Sequence, residues 1–370
     1  MPPPRTEPYP PDLRQGYFGG TDQTTALGIY GAGLELALLA GQVEFQLGRE
    51  GDLKADYKYH SAIHARFERH GNWLWVENVA ADRKNPIFFR HHEQDNFNIQ
   101  PGDTFRIGDT VYIALNDEMR LARRTMAEIL GLKNHTAVDD CMIVAAAEPD
   151  RHIVLIGEPG SDHARLGDAI HRCSPRRRHR CVPAPIMDRK GALSLQEVKD
   201  ARNGTLLIPL VTKWKVDPQY VSAALAPENN VRLIICVHAP GKVRRSFPTV
   251  TNAEEFRIMP LSKRKDEIPT LLDRWFIEGR SDLRFALLKQ EIQDKLRAHR
   301  WKKNLQDLSE AAEHLMVLTQ YESERAAERD KGTTRGASRA WRERLELPLP
   351  LVPEASTSNA GSRPRKKAKR

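Results

Sequence analysis

Between Phe45 and Leu115 apolar residues recur at every second position in short runs, a period that strands satisfy and helices do not. Ala65-Arg66-Phe67-Glu68, Trp73-Leu74-Trp75-Val76, Thr104-Phe105-Arg106-Ile107 and Val111-Tyr112-Ile113 each offer one apolar face. Gly71-Asn72, Pro101-Gly102-Asp103 and Gly108-Asp109 break the runs with turn residues. Many short strands of this kind bury their apolar faces only against one another, which predicts a β-sandwich. The polar groups of interest lie in the loops. Leu47-Gly48-Arg49 puts an arginine directly after an apolar run, with Gly48 permitting a tight exit. Ser61-Ala62-Ile63-His64-Ala65 and Lys84-Asn85-Pro86 follow. A guanidinium fork and a hydroxyl together suit a phosphate monoester. An asparagine amide offers both a donor and an acceptor to a peptide backbone.

The ordered motifs Gly48-Arg49, Ser61-x-x-His64-Ala65, Asn85 and Gly102-Asp103-x-x-x-Ile107-Gly108 resemble the forkhead-associated (FHA) domain, over about a quarter of the chain. The resemblance implies an FHA-like β-sandwich that reads phosphothreonine peptides. Arg49 and Ser61 would hold the phosphate and Asn85 would bond the ligand backbone. Gly48 and His64 would be structural, His64 bracing its loop. Two departures stand out: Asn85 is followed by Pro86 where the family usually has glycine, and the loop from Val79 to Lys84 is long. A sandwich that keeps the fold without binding phosphate is the bland alternative.

From His152 the pattern changes. His152-Ile153-Val154-Leu155-Ile156 is a continuous apolar run, as in a strand buried on both faces. The turn from Gly157 through Gly160 to Asp162-His163 leads into a helical pattern, the layout of a phosphate-binding loop. Further strands are expected at Thr205–Ile208 and Val231–Val237, with a helix from Asp217 to Leu225 between them. Such alternation implies a mainly parallel α/β sheet. IVLIGEPGSDHARLGDAIH, RNGTLLIP, VRLIICV, IMPLSKRKDEIPTLLDRWF and HRWKKNLQDLSEAAEHLMVL, in that order, resemble the AAA+ module of bacterial enhancer-binding proteins, the sigma-54-dependent transcriptional activators. The likeness runs from His152 to about Leu318 and implies a P-loop/AAA+-like domain with a small helical lid.

The departures from that family decide the expected chemistry. A nucleotide loop needs Gly-Lys-[Ser/Thr] at its end, where this chain has Asp162-His163. Pro209-Leu210 follows the strand that should lead to a magnesium-holding carboxylate, and Gln306 takes a nucleotide-sensing arginine position. The segment that carries the family's finger arginine and the loop that engages the sigma factor have no counterparts. Losing one transition-state cation costs on the order of a thousandfold in rate. The expectation is a catalytically inactive AAA+-like domain: not an enzyme, with no catalytic residue, no cofactor and no metal. A rerouted nucleotide pocket using Arg165 or His163 is the alternative.

The whole chain of 370 residues divides as follows. Residues 1–26 form a Pro-rich arm, 27–116 the sandwich, and 117–150 a linker helix with an apolar stripe and arginines opposite. Residues 151–278 form the α/β domain and 279–322 the lid, with helical stripes at Leu283, Leu287, Ile292 and Leu296 and at Leu305, Leu308, Ala312, Leu315 and Leu318. Residues 323–347 read as a degenerate helix-turn-helix remnant, and 348–370 as a disordered basic tail. In that remnant Arg335, Arg339 and Arg342 are the candidate DNA contacts. The net charge of +9 is partly concentrated in Arg176–Arg180 and in the tail from Arg363 to Arg370. Such clusters bind nucleic acid or acidic partners, or are solvated surface. Cys141, Cys173, Cys181 and Cys236 lack paired spacing, which fits a reducing cytoplasm and argues against zinc or a disulfide framework. No apolar run is long enough for a membrane span, and Met1-Pro2-Pro3-Pro4-Arg5 lacks a signal-peptide core. The expected partners are a phosphothreonine-containing protein and DNA through the basic C-terminal region. A homo-oligomer or larger assembly is compatible with either. The functional expectation is a phosphothreonine-binding scaffold in Ser/Thr-kinase signalling or transcription regulation. Its alternative is a DNA-binding transcriptional regulator that acts without ATP hydrolysis.

Overall fold

The computed structural model describes residues 28–31, 34–37, 43–54, 60–70, 73–80, 85–184, 195–208, 218–238, 250 and 252–330. The chain separates into two compact units, Met1–Arg264 with Lys303–Leu305, and Lys265–Lys302 with Gln306–Arg370.

The first unit opens with eleven short strands among the described residues. They are β1 (Gly28–Gly31), β2 (Leu34–Ala37), β3 (Glu44–Gly48), β4 (Leu53–Lys54), β5 (Ala65–His70), β6 (Trp73–Asn78), β7 (Ile87–Phe89), β8 (His92–Glu93), β9 (Asn96–Ile99), β10 (Thr104–Ile107) and β11 (Thr110–Leu115). They form two sheets, in the orders β2-β1-β11-β10-β7-β8 and β4-β3-β5-β6-β9. Pairing is antiparallel except for the short β3–β4 contact. The alternation works as read: in β5, Ala65 and Phe67 are buried while Arg66 and Glu68 are only partly covered. Phe45 stacks on Phe67 with centroids 4.5 Å apart, and Phe89 on Phe97 at 4.6 Å, filling the space between the sheets. The β7–β8 hairpin turns through Arg90 and His91, at φ 50° and 68°. That left-handed pair suits a hairpin's twist and is more usually Asn-Gly.

Asn116 ends β11 and caps the next helix, its Oδ1 accepting from Met119 N at 2.9 Å. The stretch read as a single linker helix holds two, α1 (Asp117–Leu130) and α2 (His135–Ala147). Nor do its arginines lie uniformly opposite the apolar stripe. Arg120 and Arg123 are buried and both bind Glu35 of β2, the Arg120 Nε–Glu35 Oε1 distance being 2.5 Å. Arg123 also lies 4.4 Å from the centroid of the Tyr30 ring. Burial alone would raise the Glu35 carboxyl, but Arg123 and then Arg120 outweigh it and hold it below the usual carboxylate range. A carboxylate on the sandwich thus turns the helix's charged positions inward.

Beyond α2 comes the parallel sheet, β12 (His152–Ile156), β13 (Cys181–Pro183), β14 (Thr205–Ile208), β15 (Arg232–Val237) and β16 (Ala253–Arg257), in the order β13-β14-β15-β12-β16. All four pairings are parallel. The helices α3 (His163–Cys173), α4 (Leu195–Asp200) and α5 (Pro218–Leu225) connect or flank the strands. Both edge strands lie outside the apolar runs read from sequence. β13 is three residues long, and β16 buries only Phe256 among its five. Arg232 opens β15 and is fully buried, donating to the carbonyls of Val144, Ala145, Glu148 and Arg151 at 2.9–3.2 Å. It supplies donors to carbonyls at and just beyond the end of α2. Burial lowers its guanidinium pKa to about 10.

The second unit contains α6 (Ile268–Glu278), α7 (Gln290–Ala298) and most of α8 (Asn304–Asp330). The first lid stripe differs from expectation. Residues Phe285–Leu287 form a single 3-10 turn, α7 begins only at Gln290, and Leu287 is 71% exposed. Lys289 is extended, which ends the turn before the helix starts. In the second stripe Leu308, Ala312 and Leu315 are buried. α8 runs unbroken to Asp330, so the first helix expected of the helix-turn-helix is a continuation of the lid helix. Arg335, Arg339 and Arg342 lie outside the described residues. Among the described residues no helix is long and apolar enough to cross a membrane.

Candidate functional site

Two loops at one rim of the sandwich carry the predicted phosphate ligands, and their backbones are stitched together. Arg49 N donates to Ser61 O at 3.1 Å, Glu50 N to Ala62 O at 2.8 Å, and His64 N to Leu47 O at 2.8 Å. The glycine between them is required by space. A Cβ on Gly48 would stand 2.4 Å from Ala62 O and 2.8 Å from Ile63 Cα. Arg49 is exposed, and among the described residues its guanidinium forms no ion pair and no hydrogen bond. Ser61 is half-buried beside it. An exposed guanidinium and a hydroxyl, on loops joined residue to residue, can grip a tetrahedral dianion from two sides.

His64 is fully buried, and its Nδ1 accepts from Ser61 N at 3.2 Å. This bond ties the His64 ring to the loop that carries Ser61. His60, which sequence reading passed over, is also buried, its Nε2 2.7 Å from the Tyr112 hydroxyl. Burial, and then the neighbouring His64, lower the His60 pKa to about 4, so it is neutral near pH 7. Asn85 is half-buried at the entry to β7, and among the described residues no hydrogen bond ties it to Arg49 or Ser61. The structure therefore brings Arg49, Ser61, Gly48 and His64 together, and Asn85 is not joined to them.

Gly157, Gly160, Asp162 and His163 do form one loop between β12 and α3, but other groups occupy its surroundings. Gly160 has φ 75°, and a Cβ there would meet Lys303 O at 2.0 Å. Asn304 Nδ2 donates to Pro159 O at 3.0 Å and lies 3.3 Å from Glu158 Oε2, while its Oδ1 accepts from Leu261 N at 3.0 Å. Asp162 adopts a left-handed conformation and makes no side-chain cap to α3. Arg165 pairs with buried Glu128 at 2.9 Å and with Asp162 at 3.6 Å. His163 is buried against Gly157, and burial, then His238, lower its pKa to about 4 despite the opposing, raising effect of the Gly157 backbone. Neither group weighed as a substitute cation is a free positive charge here. Positions 209 and 210 lie outside the described residues.

The basic run 176–180 is only partly surface. Arg176 is buried, donating to Pro149 O at 3.0 Å and Asn203 O at 3.1 Å and pairing with Asp150 at 2.9 Å. Arg177 reaches back to the sandwich, donating to Pro101 O at 2.9 Å. Only Arg178, His179 and Arg180 are exposed. Among the described residues no group of His, Cys, Asp and Glu is placed to hold a metal.

No family model and no curated protein matches the chain. Solved structures do match in part. NtrX from Brucella abortus, in complex with ATP, is 17% identical at a TM-score of 0.41, over 55% of this chain and 52% of that one. The chain thus spans about half the length of the NtrX structure. The FHA domain of CT664 protein from Chlamydia trachomatis is 15% identical at a TM-score of 0.22, over 24% of this chain and 96% of that one. EmbR from Mycobacterium tuberculosis, in complex with a low affinity phosphopeptide, is 15% identical at a TM-score of 0.21, over 25% of each chain. In fold, by its own strand order and register, the chain is a two-sheet, mainly antiparallel sandwich followed by a five-stranded parallel α/β sheet.

Proposed function

We propose that this protein is a phosphothreonine-peptide reader whose AAA+-like domain serves as a scaffold rather than as an ATPase. It would act in signalling downstream of a Ser/Thr kinase or in transcription regulation. One observation carries the reading: Arg49 is exposed and uncommitted among the described residues while its backbone is bonded to that of Ser61. A guanidinium serving the fold would be paired or buried, as Arg120, Arg123, Arg176 and Arg232 are.

The scaffold half of the proposal is supported by the loop after β12. It offers no lysine, and Arg165 is already held by Glu128 and Asp162. An aspartate at the start of α3 also opposes a triphosphate, since like charges repel where the helix dipole would otherwise attract an anion.

Fluorescence anisotropy with matched phosphothreonine and threonine peptides, selected from an oriented library on the wild-type chain, tests the first half. Arg49→Ala should abolish the preference for the phosphorylated form; equal binding by the variant removes Arg49 from the site. Phosphate release from ATP and magnesium tests the second half, with turnover above background as the refuting result.

A further inference from the structure

We propose that His60 and Tyr112 are positioning residues that hold Ser61 for the phosphate, a proposal that rests on the phosphothreonine reading above. Ser61 belongs to the loop that enters β5, in the sheet β4-β3-β5-β6-β9. Tyr112 belongs to β11, in the opposite sheet. The 2.7 Å contact between Tyr112 OH and His60 Nε2 therefore crosses the sandwich and ends one residue before the ligand hydroxyl.

Both ends of this strut are immobilised. Tyr112 is fully buried and stacks on Phe105 with centroids 5.2 Å apart. Gly31 of β1 faces it, and a Cβ at that position would lie 2.5 Å from Tyr112 Cδ1. His60 is 4% exposed and lies edge-on to Tyr112, with its ring 5.6 Å from that of His64. Ser61 is then held on three sides. Its carbonyl accepts from Arg49 N, its amide donates to His64 Nδ1, and its preceding residue is tied to β11. Among the described residues, what remains free is the hydroxyl rotor that a phosphate needs. A ligand loop ordered beforehand spends less of its binding free energy on becoming ordered. Neutral His60 also keeps a positive charge out of the buried cluster with His64.

The test is a double-mutant cycle on the full chain. Tyr112→Phe removes one oxygen and keeps the ring in the core. Against the phosphothreonine peptide selected as above, we expect it to weaken binding about three- to tenfold, the size of one lost hydrogen bond. In a Ser61→Ala background the same change should alter binding by less than about twofold, because the hydroxyl it positions is gone. Wild-type affinity for Tyr112→Phe overturns the proposal, and so does an equal loss in both backgrounds, which marks a general effect on the sandwich. Should Tyr112→Phe unfold, His60→Asn replaces it in the same cycle, with the same outcomes. If the wild-type chain itself does not prefer the phosphorylated peptide, the phosphothreonine reading fails by itself. Amide hydrogen exchange at Arg49 and Ser61 then decides the positioning claim: about tenfold faster exchange in Tyr112→Phe upholds it, and an unchanged rate overturns it.

Discussion

Gly48→Ala is the sharpest perturbation of the rim, because one methyl group strikes backbone on the facing loop. The new Cβ would lie 2.4 Å from Ala62 O, 2.8 Å from Ile63 Cα and 2.9 Å from Ala62 C, all main-chain atoms that no rotamer change can move. Ordinary contact begins near 3.4 Å, so the loops must part by about 1 Å. The bonds Arg49 N–Ser61 O, Glu50 N–Ala62 O and His64 N–Leu47 O, now 2.8–3.1 Å, then lie at the limit of hydrogen-bonding distance or beyond. At about 0.5–1.5 kcal/mol net for each of the three bonds lost, the sandwich is destabilised by about 1.5–4.5 kcal/mol. Arg49 and Ser61 also lose their common frame. A charge-assisted bond to phosphate contributes about 1.5–3 kcal/mol, so losing one weakens peptide binding by roughly tenfold to a hundredfold. Urea denaturation and peptide anisotropy on the same preparation measure both effects. Arg49→Ala is the internal comparison: it should lose binding while keeping wild-type stability, since the exposed side chain supports nothing among the described residues. A Gly48→Ala chain with unchanged midpoint and unchanged affinity would refute the picture of two interlocked loops.

Three further outcomes follow from the same geometry. Glu35→Ala leaves Arg120 and Arg123 buried without their carboxylate and should destabilise the unit by about 3–5 kcal/mol; an unchanged urea midpoint would show that the triad is open to water. Gly160→Ala sets a methyl group 2.0 Å from Lys303 O at a left-handed backbone, and a loss of about 2–4 kcal/mol is expected in the denaturation of the α/β domain. Acid should also unfold the first unit early. His60 and His163 have folded pKa values of about 4, lowered first by burial, against 6.5 for an exposed histidine. Above pH 6.5 both are neutral in either state. Below it the unfolded chain takes up protons that the folded chain refuses, so stability falls as the pH drops from 6.5 toward 4. Each histidine should cost about 1–2 kcal/mol by pH 5. A melting temperature that is flat between pH 7 and pH 5 would contradict this.

The local periods of the chain carried much of the architecture. Period-two alternation in β5, β6 and β10 exposes one face and buries the other, and only a second apolar sheet can cover such a face. The contiguous apolar runs of β12, β14 and β15 likewise required cover on both sides, and a parallel sheet followed. The proximity of the rim residues was legible for a related reason: Gly48, Arg49, Ser61 and His64 lie on two short loops whose spacing along the chain is itself the motif.

What tertiary structure alone decided were the partners of buried polar groups. Arg123 and Glu35 are 88 positions apart, and Tyr112 and His60 are 52 apart. A polarity pattern records whether a side chain can face water, and an arginine that instead finds a carboxylate or four carbonyls reads the same. Arg120 and Arg123 therefore read as solvent-facing and Arg176 as part of a basic cluster, yet all three lie inside the first unit. The edge strands β13 and β16 were hidden for the converse reason: they are held by backbone bonds to β14 and β12, which any side chains can accompany. The loop after β12 kept a phosphate-binding outline in sequence, but Lys303 and Asn304, more than a hundred positions on, fill the space around it. Periodicity is a property of neighbours along the chain, whereas the satisfaction of a buried charge or carbonyl depends on whatever folding brings beside it.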